Sequence, residues 1–189
     1  MKVVPVSHGL DLLKSDLVRS PGVHASDIYG SLYADLYPNR YDYGDTPPNP
    51  ALLALGTAWE SHLEKLLVAN GVQAERPGEF MSPEGIAYSP DLIIFNGVTR
   101  LGEIKLTSMS AKDMPTTECN NLPPKMDKYQ CQMMLYAYWL GLVEGWLAVL
   151  FLHSPWNPDL RIFVLTWTER ELQDNHAMVI NHARHKRFI

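Results

Sequence analysis

The stretch from residue 92 to residue 105, LIIFNGVTRLGEIK, holds two runs of β-branched and aromatic residues on either side of Asn96-Gly97. That pattern predicts two antiparallel strands joined by a tight turn, because branched side chains suit a pleated surface and Asn-Gly readily takes positive φ. Three charges serve no purpose in such a hairpin: Asp91 just before the first run, and Glu103 and Lys105 at the end of the second. Carboxylates and an ammonium are costly to place beside a core.

Side chains along a strand alternate with period two, so Glu103 and Lys105 project to one side and Ile104 to the other. Whether Asp91 joins them depends on register. A two-residue Asn96-Gly97 loop pairs residues whose numbers sum to 193 and turns Asp91 away from Glu103. An odd-length loop keeps both acids on one face. The favoured form has Phe95-Asn96-Gly97 in the loop with Gly97 left-handed, opposing Asp91 to Leu101 and setting Glu103 diagonally beside it; a bulge near Gly102 has the same effect. Two converging carboxylates make a hard oxygen site suited to Mg²⁺ or Mn²⁺, with the Ile104 carbonyl between them. Lys105 would orient or deprotonate a water, or neutralise a phosphate. A solvated hairpin can carry the same three charges, so the rest of the chain must decide.

The order of elements around the hairpin is informative. Residues 24–37, HASDIYGSLYADLY, predict a short helix capped by Ser26 or Asp27, followed by a Pro-rich loop over 37–50. Asn49 then caps PALLALGTAWESHLEKLLVANG, where Leu52, Leu55, Trp59 and Leu63 recur at helical spacing before Gly71. Gly56 inside that helix predicts a close approach, since it costs about 1 kcal/mol against Ala. A strand from Val72 to about Phe80 precedes the hairpin strands, and KMDKYQCQMMLYAYWLG predicts a helix ending at Gly141. GWLAVLFLH and LRIFVLTW read as strands buried on both faces. A last helix has Thr168 as cap and Glu171 in the capping-box position. The central order is helix, three strands, helix, strand, which implies an α/β fold with a mixed sheet flanked by helices.

Bulk properties narrow the class. The 189 residues suit a single domain, 1–189, with 1–48 as a helical segment and loop and 49–189 as core and final helix. The start, MKVVPVSHGLDLLKSD, meets charge and proline before any apolar run reaches signal-peptide length, and no run is long enough to span a membrane. A cytoplasmic protein is expected. Cys119 and Cys131 lie apart from any paired ligands, which predicts reduced thiols and neither zinc nor an iron–sulfur cluster. A net charge of −5 rules out coating nucleic acid by bulk attraction, so any such contact is local. The basic cluster of Arg184, Lys186 and Arg187 suits a helix C-terminus.

Pro90-Asp91 followed by Glu103-Ile104-Lys105 resembles the signature of the PD-(D/E)XK nuclease superfamily, whose restriction-endonuclease-like core has the αβββαβ order read above. Gly56-Thr57-Ala58-Trp59-Glu60 resembles its GxxxE motif, which implies a metal-binding role for Glu60. Tyr129, Gln132 and Tyr136 resemble the YxxQ and QxxxY motifs of the RecB-like and phage λ exonuclease (YqaJ viral recombinase) branches. In the latter branch an Arg and a Ser seven apart near the N-terminus hold a 5′-phosphate; Arg19 and Ser26 have that spacing, Ser89 matches another phosphate-binding Ser, and Gln132 matches a phosphate-binding Gln. A guanidinium, two hydroxyls and an amide form a reasonable phosphate site, and Ser26 sits at a helix start.

The resemblance spans roughly residues 19 to 140. It implies catalysis by Asp91, Glu103 and Lys105, metal bound by Asp91, Glu103, Ile104 and Glu60, and 5′-to-3′ digestion of double-stranded DNA ends in a bacterial or phage-infected cell. A single-strand annealing partner and a homo-oligomer are further implications. A structure-specific or restriction-like endonuclease, or an inactive nucleic-acid-binding module, remain alternatives. The chain lacks a long C-terminal extension and four ligating cysteines, which departs from the ring-forming and cluster-containing members.

Overall fold

The computed structural model describes residues 20–38, 50–112, 114–120, 122–153 and 157–189, with only the backbone of Pro50, Leu52 and Lys125. Strand β1 (Val23–His24) leads directly into α1 (Ala25–Leu36). There follow α2 (Pro50–Ala69), β2 (Gln73–Glu75), β3 (Phe80–Met81), β4 (Ile86–Tyr88), β5 (Leu92–Asn96) and β6 (Val98–Thr107). A 3₁₀ turn at Pro124–Met126 opens α3 (Asp127–Leu140), and β7 (Glu144–Phe151), β8 (Asp159–Thr166) and α4 (Glu169–His185) complete the described chain.

The main sheet has the order β2-β5-β6-β7-β8, with β6 and β7 parallel and all other neighbours antiparallel. Taken in sequence, α2, β2, β5, β6, α3 and β7 reproduce the predicted helix, three strands, helix, strand order. The parallel step from β6 to β7 needs a crossover, and α3 supplies it. One face of the sheet packs with α1, α3 and α4 around Tyr29, Met133, Leu135, Leu147 and Val179. The other face is thinner: α2 buries Leu63 against Leu92, Ile94, Ile104 and Ala148.

Several helix boundaries follow from local chemistry. Gly141 closes α3 with φ 67°, and Thr168 and Glu171 form the capping box that opens α4. At α1 the expected cap is corrected: His24 takes that place, and Ser26 and Asp27 lie in the first turn. The reason is that His24 is still paired with Ala87 in a strand, so the helix begins where the ladder stops. Asn49 lies outside the described residues.

The expected strand over 72–80 does not exist as one piece. β2 ends at Glu75 and β3 begins at Phe80, with Pro77 and Gly78 (φ 80°) between them, and the two belong to different sheets. A second small sheet, β1-β4-β3, is built from these short strands. Tyr88 at its end packs on Tyr136 and Trp139 of α3, at ring distances of 5.3 and 4.7 Å. Glu84 accepts from the Trp139 indole at 3.1 Å and lies 2.9 Å from His176 of α4. The small sheet is thereby fastened to the helical layer.

β8 also departs from expectation. It is the edge strand and α2 does not reach across it, so Leu160, Ile162 and Val164 are exposed, and only its other face packs inward. β7 is buried almost throughout.

Two glycines give opposite results. A Cβ on Gly102 would lie 2.8 Å from the Leu92 Cβ, so only glycine lets β5 and β6 approach here. Gly102→Ala is expected to cost about 1–3 kcal/mol in urea unfolding. No described atom lies within 4 Å of a Cβ built on Gly56, contrary to the close approach its helical position suggests. Gly56→Ala is therefore expected to gain about 0.5–1 kcal/mol in the same measurement, from backbone entropy alone.

Candidate nuclease site

The hairpin register decides the site. Leu92 pairs with Gly102 and Asn96 with Val98, leaving Gly97 (φ 73°) at the tip. The paired numbers sum to 194, not 192. The parity is as expected but the ladder is shifted by two, because the turn is tighter than a Phe95-Asn96-Gly97 loop. Continued by one step, this register puts Asp91 directly opposite Glu103 rather than diagonal to it.

β5 starts at Leu92, so β6 runs on past its neighbour from Glu103. The Asp91 carboxylate fills that gap, its Oδ2 accepting from the Ile104 N–H at 2.7 Å. The N–H and C=O of one strand residue point to the same side, so the Ile104 carbonyl also opens toward Asp91. Lys105 projects with Glu103. Its Nζ forms an ion pair with Glu103 Oε1 and lies 3.7 Å from Asp91 Oδ2. From above, α3 lowers Gln132, which donates to Glu103 Oε1 at 2.9 Å and to the Tyr136 hydroxyl at 3.2 Å. The Tyr129 ring stands 5.4 Å from the Lys105 ammonium.

Glu60 approaches from α2. Burial first and then Asp91 disfavour its charge, while its Oε2 is held by Arg76 at 2.8 Å, and Arg76 also donates to Ser61 at 2.9 Å. Ser89 is exposed, two residues before Asp91. β1 and β4 run parallel, so Ser26 and Ser89 lie just beyond the same end of the small sheet. Arg19 lies outside the described residues.

The electrostatics are unbalanced in an informative way. Glu103 is 1% exposed, and its Oε2 is buried with no hydrogen-bond partner. Burial first and Asp91 second push its carboxyl up to about 8, against the pull of Lys105. Burial opposes the charge on Lys105, but Glu103 and Asp91 outweigh it and hold the ammonium above its usual value. The two acids thus favour the ammonium form of Lys105, which is suited to steering a water or offsetting charge on a phosphate. Burial and then Glu103 likewise raise the Tyr136 phenol.

A divalent cation fits these groups. The orphaned Glu103 oxygen lacks a partner that such an ion would supply, and Asp91 and the Ile104 carbonyl add hard oxygen donors beside it. Among the described residues no three His, Cys, Asp or Glu side chains cluster closely enough to enclose a metal, so water would complete the shell, as Mg²⁺ prefers. Neither cysteine is in a disulfide; Cys119 is exposed, and Cys131 accepts from the Tyr33 hydroxyl at 3.0 Å.

No family model matches the chain, and no curated protein does either. Solved structures do. An alkaline exonuclease (LHK-Exo) from Laribacter hongkongensis superimposes with a TM-score of 0.54 at 17% identity, over 87% of each chain. The same enzyme in complex with dAMP gives the same figures. A phage related exonuclease from Haemophilus somnus 129PT follows with a TM-score of 0.50 at 14% identity, over 84% of this chain and 78% of its own. The chain has the fold of these exonucleases. It is the restriction-endonuclease-like α/β fold that the order of elements led us to expect.

Sequence reasoning missed two residues at this site. Arg76, on the link after β2, restrains Glu60, and its only signal was its nearness to a strand end. Lys128 was legible as the residue four before Gln132, on the same helix face.

The raised Glu103 carboxyl makes a stability prediction for the metal-free protein. A carboxyl whose folded value lies near 8 against an ordinary 4.5 binds its proton more tightly when folded, so its stabilisation is complete below about pH 4.5 and is lost as pH rises toward 8. In EDTA, wild-type Tm should fall relative to that of Glu103→Gln across this window. Parallel melting profiles for the two proteins would contradict it.

Proposed function

We propose that this chain is a metal-dependent deoxyribonuclease that digests double-stranded DNA from a 5′-phosphorylated end. The observation that carries the reading is the meeting of Asp91 and Glu103 from neighbouring strands, one oxygen of Glu103 buried and unpartnered, with the Lys105 ammonium at their rim. The shared fold supports it, and so does the dAMP bound by one of the solved exonucleases.

In this reading Asp91, Glu103 and the Ile104 carbonyl would hold Mg²⁺ or Mn²⁺, with Glu60, here paired to Arg76, as a further candidate ligand. The cation supplies positive charge to the scissile phosphate and to the attacking water. Lys105 fixes the direction of that water and offsets charge on the phosphate as a sugar oxygen leaves. Gln132, tied to Glu103 and Tyr136, positions a phosphate oxygen, and Tyr129 keeps Lys105 in place. Ser26, Ser89 and Arg19 receive the terminal 5′-phosphate. Work beside a single-strand annealing protein in phage-type recombination, as a homo-oligomer, agrees with this chemistry. No helix among the described residues is long and apolar enough to cross a membrane.

The deciding measurement is digestion of linear 5′-phosphorylated, linear 5′-hydroxyl and closed circular DNA, with wild type and Lys105→Ala in parallel. Linear 5′-phosphorylated DNA should be degraded fastest and circular DNA left intact, with Lys105→Ala slower by about 10²–10³-fold. Cleavage of the circle would make the chain an endonuclease. DNA binding without hydrolysis in Mg²⁺ or Mn²⁺ would make it a binding module.

A further inference from the structure

Lys128 stands on the first turn of α3, one residue before Tyr129 and four before Gln132. Residues four apart share a helix face, so its side chain rises on the side from which Gln132 reaches Glu103. It is half-buried, and among the described residues no carboxylate pairs with it. The other cations around the site each have one: Lys105 has Glu103 and Asp91, and Arg76 has Glu60. Burial first, and then the charge on Lys105, disfavour the ammonium of Lys128. The Lys128 ammonium thus feels the charge of Lys105, and among the described residues it has no carboxylate partner to offset its desolvation.

A cation held in this way weakens the fold and gains only when an anion arrives. We propose that Lys128 is a substrate-binding residue that donates to a non-bridging oxygen of the phosphodiester next to the one being cleaved. The proposal rests on the nuclease reading above. Lys105, paired with both acids, is committed to the reacting phosphate. Lys128 is the neighbouring point charge that holds the strand in register over Gln132, and an ammonium suits a phosphate oxygen approached from one side. Such a contact exists before and during the reaction alike, so its loss falls more on KM than on kcat.

The test uses the full chain and a short 5′-phosphorylated DNA duplex. Binding is measured in EDTA over a series of salt concentrations for wild type, Lys128→Met and Lys128→Arg, and turnover with Mn²⁺ is measured in parallel. Lys128→Met should raise Kd about tenfold and flatten the slope of log K against log salt by about 0.9. Its KM should rise more than its kcat falls. Lys128→Arg should restore most of the affinity. Lys128→Met should also melt at or above the wild-type temperature, since it removes an unfavourable buried charge, whereas a structural role would lower it. An unchanged Kd and salt slope in Lys128→Met, with wild type binding and cleaving, would overturn this proposal alone. A wild type that neither binds nor cleaves would overturn the nuclease reading and this proposal together.

Discussion

The close approach of Leu92 to Gly102 sets the positions of Asp91, Glu103 and Lys105. It fixes the register of β5 against β6, and through it the opposition of Asp91 and Glu103. A slip of one residue would carry the acids to opposite faces of the sheet. Because β5 begins one residue after Asp91, the ladder stops short of the two acids, and the freed N–H of Ile104 is taken by the Asp91 carboxylate. The hydrogen bond that would have gone to a strand goes to the Asp91 side chain, so strand pairing and the meeting of the two acids are the same event.

The charges show why this patch is more than a solvated edge. A surface Asp, Glu and Lys would remain ionised and weakly coupled. Here the Glu is almost fully enclosed, its partner lysine serves two acids, and one carboxylate oxygen faces no donor. Burying a carboxylate in that state is unfavourable, and the neighbouring Arg76–Glu60 pair repeats the theme by tying up a further acid until something competes for it.

Period-two alternation was enough to place Glu103 and Lys105 together, and helical spacing put Tyr129, Gln132 and Tyr136 on one face. The parity of the hairpin was legible too, because an odd-length loop, like a bulge near Gly102, brings Asp91 onto the face of Glu103. Its exact register was not, since Asn-Gly tolerates several loop lengths. The small sheet escaped notice because Phe80–Met81 and Ile86–Tyr88 are too short to show alternation. β8 misled for another reason: Leu160, Ile162 and Val164 look like core residues, and nothing local records that α2 stops short of them. Gly56 suggested a contact that the described residues do not make. Arg19 could not be placed.

The attachment of Tyr88 to α3 has a mechanical meaning. Its ring lies against Tyr136 and Trp139, and Ser89-Pro90 then leads straight to Asp91, while Tyr136 is bonded to the Gln132 that touches Glu103. The loop bearing one acid and the helix touching the other are clamped by a common aromatic stack, like two jaws on one bolt. Displacing α3 would drag both acids along together, so the gap between them is protected from slack that either element would have alone.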